Sequence, residues 1–308
     1  MGKLHRLRPA AVVILFCFLL TSCYKTPRAL FRGRGKKHVQ VSGTSPALKV
    51  ATREELFAII AHTYDTIESF QATKILLTAS QGNLQSGITD YKAVPGIILF
   101  RKISGGNNSR DSLRESIRIR ATAPFLGNLL FDMVSDGISF GILIPSKSTL
   151  FTGLNSAPAN SVNKAENMRP EAFLSSMFIR PVDLATEVPM LKDETDEEDD
   201  LYRLELNRKA PDGTLVPGRD IWFDRQDLSI VRQKVYNDKG DIVSDTKYSM
   251  WQTYSGVPFP AHIDIDRRLD GYGVAIEIQE MAMNKELTAD KFDLPETETQ
   301  GSVIKEIK

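Results

Sequence analysis

Apolar and polar positions along this chain follow two different periods. Leu56, Ile59, Ile60, Thr63, Tyr64 and Ile67 recur at three- and four-residue spacing, which places them on one face of a helix. Thr52 and Glu55 make a capping-box pair at its start, so a helix is predicted from Thr52 to about Ser69. Further on the period drops to two. Ile117 and Ile119 alternate with Ser116, Arg118 and Arg120; Tyr202, Leu204 and Leu206 alternate with Arg203, Glu205 and Asn207. Val274, Ile276 and Ile278 do the same with Ala275, Glu277 and Gln279. Such alternation describes strands with one dry and one wet face. Gly105-Gly106-Asn107, Pro211-Asp212-Gly213, Asn237-Asp238-Lys239-Gly240 and Asp270-Gly271 punctuate the strands as turns. Strands joined by short turns predict an antiparallel meander rather than βαβ units.

Two interruptions break this pattern. Between Arg169 and about Leu191, Ala172, Phe173, Ser176 and Met177 suggest a short amphipathic helix. Asp193 to Asp200 is an acidic run, expected to be an exposed loop; it lacks the glycine and ligand spacing of a calcium loop. The residues after Pro295 are expected to fray.

The N-terminus carries an address. Lys3, Arg6 and Arg8 precede an apolar stretch from Ala10 to Leu20. Its length, about 17 Å as a helix, is too short for a hydrocarbon core of roughly 30 Å. It reads as a removable signal. The stretch ends in Leu20-Thr21-Ser22-Cys23, which resembles a bacterial lipobox; the resemblance implies cleavage before Cys23 and a fatty-acylated Cys23. Stable attachment follows from two or three chains at about 0.8 kcal/mol per buried CH₂. Tyr24 to Ala51 is basic and glycine-rich, with Arg28, Arg32, Arg34, Lys36 and Lys37, and reads as a flexible tether. Those charges suit anionic headgroups or a simply solvated linker. Tyr24, where enteric lipoproteins held at the inner membrane carry aspartate, favours the outer membrane, facing the periplasm.

Composition narrows the field. Lys and Arg equal Asp and Glu over the 308 residues, so nothing points to nucleic acid. The two cysteines are Cys17, in the signal, and Cys23. No disulfide is therefore expected, and the fold must rest on its core.

Together these elements predict an α+β, mainly antiparallel β fold: about ten strands in a half-open curved barrel, with helices covering the concave face. This order of elements, with a lipobox in front, resembles the LolA/LolB lipoprotein-carrier superfamily. The stretches Leu129-Leu130-Phe131-Asp132-Met133-Val134-Ser135-Asp136-Gly137 and Glu277 to Phe292 carry the likeness. The division is then a signal peptide at 1–22, a lipidated tether at 23–51, a LolA/LolB-like half-barrel at 52–294 and a tail at 295–308. The resemblance implies a non-enzymatic protein that takes acyl chains or lipoproteins into an apolar cavity, or an envelope sensor or assembly scaffold on the same fold. Its partners would be the membrane, through the lipid, acyl chains or lipoproteins, and envelope proteins.

Catalytic and metal signals are weak. Gly137-Ile138-Ser139-Phe140-Gly141 matches G-x-S-x-G, but Ile142-Leu143-Ile144-Pro145 continues it as a strand, where the nucleophile motif needs a helix. His38, His62 and His262 are far apart and supply neither an obvious base nor a zinc motif. No cofactor is expected. The stronger lead is Pro124 to Phe131, apolar residues around Gly127: either a core strand with a bend, or a hook for acyl chains or bilayer built on Phe125, Leu126, Leu129 and Leu130. Leu99, Phe100, Phe131, Ile142, Ile144 and Phe178 are the expected cavity lining.

Overall fold

The computed structural model describes residues 47–83, 87–90, 92–104, 113–156, 168–196 and 199–307. Cys23, His38, most of the tether and the Gly105-Gly106-Asn107 turn lie outside these residues. The chain runs α1 (Arg53–Asp65), β1 (Ser69–Asn83), β2 (Gly87–Asp90), β3 (Val94–Ser104), β4 (Leu113–Thr122), β5 (Leu129–Ser135), β6 (Ser139–Ile144), β7 (Thr149–Leu154) and α2 (Pro170–Met177). It continues β8 (Glu187–Thr195), β9 (Asp200–Lys209), β10 (Leu215–Asp224), β11 (Ile230–Tyr236), β12 (Ile242–Tyr254), β13 (Val257–Arg267), β14 (Tyr272–Met283), α3 (Glu296–Thr299) and β15 (Val303–Ile307).

Among the described residues fifteen strands form one curved, unclosed sheet. Its order is β15-β7-β6-β5-β4-β3-β1-β14-β13-β12-β11-β10-β9-β8, with β2 paired to β1. Two meanders, β3 to β7 and β8 to β14, are thus joined through β1. The alternation of apolar residues sets the inner face: Ile117 and Ile119 on β4, Leu204 and Leu206 on β9, and Val274, Ile276 and Ile278 on β14 are all in the core. On β1 the inner residues are Phe70, Ala72, Ile75 and Leu77. The step from Ala72 to Ile75 breaks the period of two, and the register shifts there, as a β-bulge does.

Helix α1 starts at the predicted capping box: Thr52 N–H donates to Glu55 Oε2 at 2.7 Å and Glu55 N–H to Thr52 Oγ1 at 3.2 Å. Leu56 and Ile60 from α1, and Phe173, Leu174 and Met177 from α2, pack into the same core as the inner strand positions. The two helices therefore cover the concave face.

Three expectations change. The run from Asp193 is not wholly loop. Asp193 and Glu194 lie on β8, drawn in by donors: Arg225 NH1 reaches Asp193 Oδ2 at 2.9 Å, and Trp222 Nε1 reaches Glu194 Oε2 at 2.9 Å. At the end of the tether, Ala51 is buried and Lys49 N–H donates to Arg225 O at 2.7 Å. The segment after Pro295 does not fray. The stretch leading to it crosses the outer face, where Arg101 NH1 donates to Leu287 O at 3.0 Å and Arg118 NH1 to Lys291 O at 3.0 Å. Arg120 clamps Glu298 through two bonds, 2.8 and 3.0 Å. The segment ends as β15, the parallel partner of β7. Gly153 makes that approach feasible, since a Cβ there would lie 2.8 Å from Ile307 O.

Candidate functional site

The concave face is a wall of large apolar side chains with a plug. Phe178 follows α2 and leaves helical geometry, so its ring drops onto the sheet. It stacks on Phe100 at 4.0 Å between centroids and meets Phe70 edge-on at 6.0 Å. Phe259 closes the group, 5.9 Å from Phe178 and 5.2 Å from Phe70. Each such pair contributes roughly 0.5–1.5 kcal/mol beyond the area it buries. A cavity of about 20 Å³ lies beside the plug, bordered by Ile60, Tyr64, Met177, Phe178, Tyr248 and Trp251. A void of roughly 10–15 Å³ holds one water. This space takes a water and not an acyl chain.

Five of the six residues expected to line a cavity face this core. Phe100, Ile142 and Phe178 are buried in it, and Phe131 and Ile144 are half-buried against it. Leu99 faces the other way, because consecutive strand residues point to opposite faces. It shares the side of Arg101, whose guanidinium lies 4.9 Å from the Phe292 ring of the C-terminal segment. Its burial comes from the outer face.

Charged groups join the helices to the sheet at one end. The Tyr64 hydroxyl of α1 donates to Glu115 Oε1 on β4, and Arg180 NH2 donates to Glu115 Oε2 at 2.7 Å. Arg180 also reaches Glu171 Oε1 of α2 at 3.2 Å. Glu115 is only 6% exposed, so these two donors are what offset its burial. Burial pushes the Glu171 carboxyl above its ordinary range, against the pull of Arg180. Burial also lowers the Lys102 ammonium, which sits 3.9 Å from the centre of the Tyr64 ring.

The hook residues are at the β4–β5 turn. Phe125 is fully exposed and Leu126 is 78% exposed. Phe125 and Gly127 both take positive φ, 67° and 68°, and Gly127 N–H donates to Ala123 O at 3.0 Å, folding the turn tightly. That geometry turns the two apolar side chains outward. Leu130 is 37% exposed and Leu129 is half-buried, so they form the base of the turn.

Ser139 enters β6 from a hairpin turn. Asp136 Oδ1 accepts from its N–H at 2.8 Å and its hydroxyl at 3.2 Å, and Ser139 opens a strand instead of leading straight into a helix. His62 is exposed on α1, and His262 pairs with Glu277 across β13 and β14. Among the described residues no cluster of three His, Cys, Asp or Glu is placed to hold a metal ion.

Two groups escaped the sequence reading. Glu115 and Arg180 are separated by 65 residues, and nothing local marks them as partners. Gln233, Ser244, Thr246 and Tyr248 are buried on the inner face, yet Ser244-Asp245-Thr246-Lys247 is polar on both faces of its strand. An alternation of two marks an inner face only where that face is apolar.

No family model and no curated protein matches the sequence. Solved structures do match the fold. A DUF1329 family protein from Desulfovibrio piger is 15% identical, with a TM-score of 0.53 over 78% of this chain and 95% of its own. A putative outer membrane lipoprotein-sorting protein domain from Vibrio parahaemolyticus is 9% identical, with a TM-score of 0.50 over 78% of this chain and 95% of its own. A LolA superfamily protein from Nitrosomonas europaea aligns over 77% of this chain and 97% of its own, at 16% identity and a TM-score of 0.44. At these identities the likeness is one of fold: this chain shares an open, curved, mainly antiparallel sheet with the first two of these structures.

Proposed function

We propose that this chain is an envelope lipoprotein that binds the acyl chains of lipids or lipoproteins between its curved sheet and α1 and α2, and acts without catalysis. One observation carries the reading: the apolar inner wall is closed by two short helices and one inserted phenylalanine, not by a second sheet. Withdrawing Phe178 from Phe100 and Phe70 would open the wall to a chain at roughly 25 cal/mol per Å² of apolar surface covered. Phe100, Phe131, Ile142 and Ile144 would line the opened site. Phe125 and Leu126, supported by Leu129 and Leu130, would enter a bilayer or incoming chains. In this reading residues 1–22 are removed, Cys23 carries the lipid at the outer membrane, and residues 23–51 tether the fold.

The test uses a soluble form lacking residues 1–23. It should bind a fluorescent fatty acid and remove a lipopeptide from micelles, and Phe178→Ala should tighten fatty-acid binding by removing the plug. Failure to bind either probe would sink the proposal.

The small interior favours a second reading, an envelope sensor or scaffold that recognises proteins on its surface. Crosslinked protein partners from the envelope, together with no uptake of acyl probes, would support that reading.

A further inference from the structure

On β11 and β12 the inner wall carries an island of polar side chains. Gln233 on β11 lies opposite Thr246 on β12, with Ser244 and Tyr248 at the neighbouring inward positions of β12. All four are more than nine-tenths buried. Apolar residues flank them, Ile221 opposite Gln233 on β10, and Ile263 and Ile265 opposite Tyr248 and Thr246 on β13. Helix α2 lies over the island and takes up its donors. The Tyr248 hydroxyl donates to Ser176 O at 2.7 Å, and Gln233 Nε2 donates to Ser175 O at 3.3 Å. The Ser176 and Ser244 hydroxyl oxygens are 3.4 Å apart, as are those of Ser244 and Thr246. Gln233 Oε1 has no partner among the described residues. Tyr248 also borders the small cavity beside Phe178.

We infer that Gln233, Ser244, Thr246 and Tyr248 form a subsite for the ester carbonyl groups of an acyl-glyceryl lipid, uncovered when α2 moves off them. This rests on the acyl-chain reading above. The argument is one of replacement. When α2 leaves, the Tyr248 hydroxyl and the Gln233 amide lose two carbonyl oxygens in an apolar surround. A hydrocarbon in their place leaves both donors unpaired, whereas an ester restores a carbonyl acceptor to each. The donors sit on adjacent strand systems that hold them fixed, so little ordering is needed on binding. A glyceryl diester places two carbonyls next to the start of two acyl chains, which matches donors set at the border of an apolar wall.

The experiment displaces a fluorescent fatty acid from the full-length protein. Four competitors are used: a dipalmitoyl-glyceryl lipopeptide, dipalmitoyl phosphatidylglycerol, and the dihexadecyl ether counterpart of each. A diester should compete about tenfold better than its diether, the worth of one or two buried hydrogen bonds. The pair with the lower inhibitory concentration tells lipoprotein from phospholipid as the source. Gln233→Leu and Tyr248→Phe should each shrink the tenfold gap towards unity by weakening the diester. Tyr248→Phe conserves shape, and the wild-type comparison needs no variant. Equal competition by diester and diether on the wild type overturns the subsite and leaves the acyl-chain reading standing, as does a gap that survives both variants. No displacement by any of the four overturns both.

Discussion

Asp132 shows what a single residue contributes here. It sits fully buried on the outer face of β5, held by Arg118 Nε at 3.0 Å, Arg118 NH2 at 2.6 Å and Arg120 NH1 at 2.9 Å. Neutralising Asp132 leaves the nearly buried Arg118 with the Lys291 carbonyl alone, while Arg120 keeps Glu298, so the cost should sit at the low end for a broken buried pair, about 3 kcal/mol. Asp132→Asn should therefore lower the urea midpoint by that equivalent without changing the slope. Glu171 makes a different kind of prediction. Burial raises its pKa in the folded chain, with Arg180 opposing and Glu115 adding to the rise. The folded state then holds the proton more tightly than the unfolded chain, so stability contributed by the protonated form declines as pH rises above the ordinary carboxylate range. Glu171→Gln should flatten the loss of stability between acidic and neutral pH, followed by thermal melts across that range. A wild-type curve that rises there and is unaltered by the substitution would contradict the assignment.

Among the elements, the C-terminal segment behaves least as its sequence suggested. Val303 and Ile304 of β15 are 61% and 69% exposed, so little apolar area depends on them. Phe292, upstream, is buried on the outer face beside Arg101. Phe292→Ala should cost about 3 kcal/mol in denaturant unfolding. Deleting residues 302–308 should cost less, because of the side chains of β15 only Ile307 is partly buried and the rest of the loss is one ladder of edge hydrogen bonds. The reverse order would mean that β15, and not the crossing segment, holds the outer face. Helix α1 and the β-turns were legible locally, since a capping box and Asp-Gly or Lys-Gly turns act within a few residues. The crossing segment was not: Glu298 finds Arg120 at a separation of 178 residues, and a short polar helix has no apolar period to betray it.

At the scale of the whole molecule, the open sheet puts the aromatic plug inside and the Phe125–Leu126 turn outside. Phe125→Asp combined with Leu126→Asp should abolish co-sedimentation of the form lacking residues 1–23 with phospholipid vesicles. Stability should move by no more than about 0.5 kcal/mol, because both side chains are exposed and Asp tolerates the positive φ at residue 125. Unchanged vesicle binding would remove the turn from the mechanism. The sequence by itself determined the α+β class, the meander and the inner face of most strands, because period and turn chemistry are properties of neighbouring residues. It also singled out Leu99, Phe100, Phe131, Ile142, Ile144 and Phe178 as large apolar positions, expected to line a cavity. Only the tertiary structure decided that Phe178 fills the interior instead of lining a space, that Leu99 belongs to the outer face, and that Glu115, Arg180 and the Gln233–Tyr248 island meet the helices. The reason is physical. Burial of a stripe follows from local pattern, whereas filling a volume and pairing a buried polar group depend on which distant segments close over it.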